Sequence, residues 1–161
     1  MYTNALEYLE DEREGWAPYE ALADVPDDRF DDPTPPDGPG HGWSARVLMS
    51  HMLAWHEICL TVARELALDE SSRTFESVTR EWRERRDAMN EDLHARYAVL
   101  SPAELKGRFR ALPGELRGTL TVVPETRWLK HPRHSEVFVD WILEHEAEHR
   151  QELDAILGTE R

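Results

Sequence analysis

Apolar residues in this chain recur in steps of three and four almost throughout, and strand-like alternation is nearly absent. That periodicity restricts the fold to packed helices, each burying one stripe of its surface. Two of the stripes carry an anomaly. One reads Val47/Leu48, His51/Met52, Trp55, Cys59, Val62, Leu66, and the last reads Phe138, Trp141/Ile142, His145, His149, Leu153, Ile156. Core stripes normally hold Leu, Ile, Val or Phe, because burying an imidazole without a partner costs free energy. Three inward histidines therefore require a partner that apolar neighbours cannot supply.

Caps and breakers mark the helices. The first is expected from about Thr3 to Leu22, with Leu6, Leu9, Trp16 and Tyr19 on one face. The segment DVPDDRFDDPTPPDGPGHG, about 24–42, is too rich in Pro, Gly and Asp for regular structure and reads as a long crossing loop. Ser44 is a good N-cap for the second helix, and Trp43 can staple onto Leu48. A third helical region covers about 75–97, with Val78, Trp82, Met89, Leu93 and Tyr97 inward. Ser101-Pro102-Ala103-Glu104 is a capping box opening a helix that presents Leu105, Phe109, Leu112, Leu116 and Leu120. Pro113-Gly114 should kink or divide that helix. Ser135 is the expected N-cap of the last helix, which ends at Gly158 before a short tail, 158–161. The expected fold is all-α. It is one domain, 1–161: a four-helix bundle with a long first crossover and an extra helical element between the second and third bundle helices.

Bulk properties narrow the function classes. No run of eighteen apolar residues is present, so no membrane span is expected. A formal net charge of −14 disfavours nucleic acid and anionic membranes as partners. The one basic run, Arg80 to Arg86, is interrupted by Glu81 and Glu84 and reads as a solvated helix face. MYTNALEYLEDERE lacks the features of a secretory signal, and a single cysteine suits a reducing compartment, so a cytoplasmic location is expected.

Residues four apart lie on one helix face, roughly 6 Å apart along the axis, so His145 and His149 can grip one ion from the same side. His51, on another inward stripe, is the candidate third ligand. Any one of these histidines alone reads more simply as a hydrogen-bonded, half-buried side chain; the three together favour ligation. Imidazole suits Zn, Ni, Cu or Fe, whereas Ca and Mg take oxygen. Three protein ligands leave an open position, the pattern of catalytic zinc, at which water or a thiol can be activated. Glu148 and His134 are the weaker catalytic candidates, the first beside a ligand and the second just before the last helix. Glu148 also continues a Glu144-Glu148-Glu152 row that reads as solvated. His56 is placed outside the ligand set, His41 and His131 in loops, and Cys59 as core filler, while Trp55 and Trp141 flank the ligands.

These residues carry a resemblance. Trp43-Ser44 followed by LMSHMLAWHE is similar to the W-S-x-x-x-L-x-x-H-x-x-x-W pattern of the DinB/YfiT-like superfamily of small helical bundles, particularly its ClbS/DfsB-type branch. The closing HEAEHRQEL resembles the superfamily's terminal H-x-x-x-H-R-G-Q signature, and the 94-residue separation of His51 from His145 is typical. Two positions depart from the pattern: Glu148 stands where many members have a further histidine, and Arg150 is followed directly by Gln151. The resemblance implies a three-histidine site for a divalent ion, often zinc or nickel, with ligands His51, His145 and His149. It also implies a metal-dependent enzyme acting on a small electrophilic molecule, as a thiol S-transferase using a low-molecular-weight thiol or as a hydrolase. The alternative is a non-catalytic, protective small-molecule binder. A homodimer is implied by the resemblance alone.

Overall fold

The computed structural model describes residues 2–158, and these are all-helical, with no strand among them. Helix α1 (Ala5–Trp16) continues into a 3-10 segment (Ala17–Asp24); α2 spans Ala45–Leu68, α3 Arg73–Ala98 and α4 Pro102–Leu120. The last helix, α5 (134–157), is composite: an α turn (His134–Phe138), a π segment (Val139–Glu144), a short α turn (His145–Glu148) and a final α stretch (Arg150–Leu157). Of the expected tail, 159–161 lies outside the described residues.

Asn4 opens α1 by accepting a hydrogen bond from the Glu7 amide at 3.0 Å. The single helix expected to Leu22 instead tightens after Trp16, where Pro18 has no N–H with which to continue the α ladder. Leu6, expected inward, is 66% exposed; the buried face runs through Tyr8, Leu9, Glu12 and Trp16. Glu12 is inside because its carboxylate is paired with Arg117 of α4.

Helix α2 is the centre of the molecule, with α3, α4 and the π segment of α5 packed against it. It is buried nearly all round, beyond the single stripe that its sequence suggests. The Ser44 hydroxyl accepts from the Val47 amide at 3.3 Å and sets the first turn. Ser44→Ala is expected to cost about 1 kcal/mol, which thermal unfolding would register as a fall of roughly 2–4 °C.

The proline-rich segment before α2 is anchored. Phe30 is fully buried beneath the Arg46 guanidinium and the Lys106 ammonium, 5.2 and 4.9 Å from its ring centre. The segment ends in two left-handed residues, His41 (φ 52°) and Gly42 (φ 77°). Glycine takes that conformation freely; His41 adopts it against a steric cost.

Three further expectations are corrected. Helix α4 runs undivided through Pro113-Gly114. Pro113 lies on the buried face between Leu112 and Leu116, where packing on α2 outweighs one missing hydrogen bond. Helix α3 contains a non-helical residue, Arg85 (φ −151°, ψ 44°), in its charged middle, where no apolar stripe holds the helix straight. Ser135 does not cap α5, which begins one residue earlier without a side-chain cap of its own. The His131 ring accepts in its place: Nδ1 lies 3.3 and 3.2 Å from the amides of Arg133 and His134.

Candidate metal centre

Helices α2 and α5 bring the three expected ligands together. His51 Nε2 lies 2.8 Å from His145 Nε2 and 3.0 Å from His149 Nε2. His51 and His145 are buried, and His149 is half-buried. The π segment ends at Glu144, immediately before the first α5 ligand, and the Tyr8 hydroxyl holds the Phe138 carbonyl at its start, 2.7 Å away. His149 itself sits at φ −90°, ψ 9°, between two α stretches, in the sparsely allowed bridge region where many active-site residues are found. The segment bearing two of the candidate ligands is thus the least regular part of α5.

The three rings fit a cation better than they fit one another. An imidazole nitrogen offers one in-plane proton or one lone pair, so His51 Nε2 can make one of its two close contacts well, not both. A metal at the convergence point pairs with all three lone pairs at once. Bonds of about 2.0 Å in tetrahedral geometry would set the nitrogens roughly 3.3 Å apart, close to the spacing found. Burial, reinforced by the neighbouring imidazoles, pushes His51 down to about 3 and His145 to about 2. His149 is also lowered by burial, against the opposing pull of Glu152 and Glu148. The rings are therefore neutral near pH 7, with lone pairs free to ligate.

Outer partners orient two of the rings. His51 Nδ1 lies 2.9 Å from Nε2 of His94 on α3. His149 Nδ1 faces Glu152 Oε2 at 3.6 Å, just beyond hydrogen-bond reach, while the other oxygen of Glu152 is held by His41 Nδ1 at 3.0 Å. The left-handed His41 thus ties the end of the crossing segment to the site. Trp43, expected as a staple, stacks on His149 with ring centres 5.2 Å apart and meets His51 edge-on at 5.3 Å. Glu152 is buried, contrary to the solvated row expected of it, whereas Glu144 and Glu148 are exposed. Glu152→Gln is expected to lower metal affinity by about 10–100-fold, read by competition with a chromogenic chelator. Unchanged affinity would show that the carboxylate does not act on His149.

Sequence reasoning passed over His94. Its signal was a row in steps of four, Trp82, Arg86, Asn90, His94, polar where a solvated face would be expected to carry no aromatic. The first three of these line a cavity of about 530 Å³ that opens onto His51, His145 and His149. Trp43, Trp55, Trp82 and Trp141 supply its aromatic walls, and Glu148 lies on its lining. His134 is not brought to the site. Its ring is buried against Phe75 and His131, with Nδ1 donating to the Arg127 carbonyl at 2.7 Å, so it holds the loop before α5. No family model, curated protein or solved structure matches the chain.

Proposed function

We propose that this chain is a metal-dependent enzyme of the DinB/YfiT-like type. In this reading α1, α2, α4 and α5 form the four-helix bundle and α3 is the added element. His51, His145 and His149 hold a divalent ion, zinc or nickel by ligand chemistry. The observation carrying the proposal is the convergence of three neutral Nε2 atoms at one end of a tryptophan-walled cavity. Bound there, the ion would supply Lewis acidity that activates water or a thiol against a small electrophile.

The chain's own residues favour some substrates over others. Asp140, Glu144 and Glu148 lie on the cavity lining and pair with no cation among the described residues. The lining's one cation, Arg86, is 3.6 Å from Asp87 and 5.7 Å from the Trp82 ring centre. Arg46 and Arg150, cations near the helices that carry the histidines, are engaged with Asp31 and Asp154. Neither lines the cavity. An anionic thiol is therefore poorly served, and a neutral or cationic molecule with a flat apolar body suits the walls better. Water or a neutral thiol is the nucleophile that fits, with Glu148, an exposed carboxylate on the lining next in sequence to His149, the candidate to move a proton.

The four tryptophans also suit simple sequestration. Metal analysis of the purified protein, followed by turnover of neutral and cationic esters, amides and alkylating agents with and without thiols, separates the readings. Metal-dependent turnover supports catalysis. Tryptophan quenching by a ligand without turnover supports sequestration, and a protein that takes up neither zinc nor nickel overturns the metal site.

A further inference from the structure

A second cluster lies on the other side of α5. Glu12 of α1, His56 of α2 and Glu146 of α5 each offer a ligand atom within 4.8 Å of the other two. Their exposures are 1%, 0% and 2%, so water does not solvate them. The tautomer of His56 follows from its neighbour. Nδ1 lies 3.0 Å from the Met52 carbonyl, which only accepts, so Nδ1 carries the proton. Nε2 of the neutral ring then presents its lone pair to Glu146 Oε1 at 3.2 Å, acceptor against acceptor. Something positive has to lie there. Glu146 Oε2 is also buried without a hydrogen-bond partner. Arg117 pairs with Glu12, which leaves two carboxylates facing one guanidinium and the cluster one positive charge short.

The surrounding backbone makes room for these groups. Gly15, one turn after Glu12, faces Glu146 Oε2, and a Cβ at position 15 would collide with that oxygen. The Tyr19 hydroxyl donates to the Glu146 carbonyl and fixes the main chain. Outside, a pocket of about 300 Å³ opens over Gly15, Leu143, Glu146 and Ala147, giving an ion a route that avoids the three-histidine site.

We propose that Glu12, His56 and Glu146 form a second divalent-cation site, distinct in chemistry from the first. Two carboxylates and one imidazole make a harder donor set than three imidazoles, suited to Mn, Fe, Co or Zn. The ion would tie α1, α2 and α5 together from within the core and neutralise the two carboxylates it touches. The competing occupant is a proton shared by His56 and Glu146, and ion counting tells the two apart.

The test loads the full chain with excess Zn²⁺ or Mn²⁺, removes loose ions by passage over a weak chelator, and counts the remainder by mass spectrometry. The expected count is two Zn²⁺ per chain, falling to one in H51A/H149A and to one in E146Q. In H51A/H149A, X-ray absorption should show a single imidazole with oxygen ligands. That variant leaves the cluster untouched, so the result does not depend on whether E146Q folds. If H51A/H149A is folded by circular dichroism but holds no ion, a proton fills the cluster and the proposal is overturned. One ion in the parent, kept in H51A/H149A and lost in E146Q, would support this site and sink the three-histidine one. One ion in the parent, lost in H51A/H149A, would do the reverse.

Discussion

His51→Ala is expected to abolish tight metal binding at the three-histidine site. His51 is the one member of the histidine cluster on α2, and its Nε2 is the atom that both α5 ligands approach. Without it, an i, i+4 histidine pair is left, with no ligand facing it across the helix interface. Losing a mere outer partner costs about 10–100-fold in affinity, so losing this ligand should cost more. A stability readout gives an independent check. An ion present at about 100 times its dissociation constant stabilises a protein by roughly 2.7 kcal/mol, a rise of about 5–11 °C in melting temperature at this chain length. The parent should show at least that rise on adding zinc, and H51A a smaller one, owed to the Glu12, His56 and Glu146 cluster alone. His134→Ala is the control: it should lower stability through the loop before α5 and leave the metal-induced rise intact. A full rise in H51A would remove His51 from the site.

Arg117→Met should be the most destabilising change outside the apolar core. It strands the Glu12 carboxylate, 1% exposed, without its guanidinium. Breaking one side of a buried pair costs about 3–5 kcal/mol, or roughly 6–20 °C of melting temperature. Measured with a chelator present, so that no ion replaces the lost charge, the fall should be large. Adding Glu12→Leu should recover most of it, because the desolvated charge goes with its partner. A double variant no more stable than R117M would mean that the pair holds the helices by shape rather than by charge.

What could be read in the sequence follows from which forces are local. Ser44 and the Ser101–Glu104 box are local devices, and both cap where expected. The inward stripes placed His51, His145 and His149 on facing surfaces because helical period and burial act within one segment. Glu12 and Glu146 drew no reading, and His56 was set outside the ligand set, because their burial depends on partners far along the chain, invisible to periodicity. His94 was missed for the same reason: it earns its place through His51, not through its own stripe. Pro113 was overweighted as a breaker because its local penalty is visible and the packing of α4 on α2 is not.

The widened turn at Val139–Glu144 has a consequence for how such a site can be lost or gained. A π turn accommodates about one residue more than an α turn, so the same residues wound as a regular α-helix would overshoot by one residue's rotation. Everything beyond the segment would then swing by about 100° relative to what precedes it. His145 and His149 would keep their spacing and flanking letters, yet they would face away from His51. The H-x-x-x-H signature would survive intact in a protein unable to close the site, so in this fold the spelling of the ligands and the phase of the helix are separate requirements.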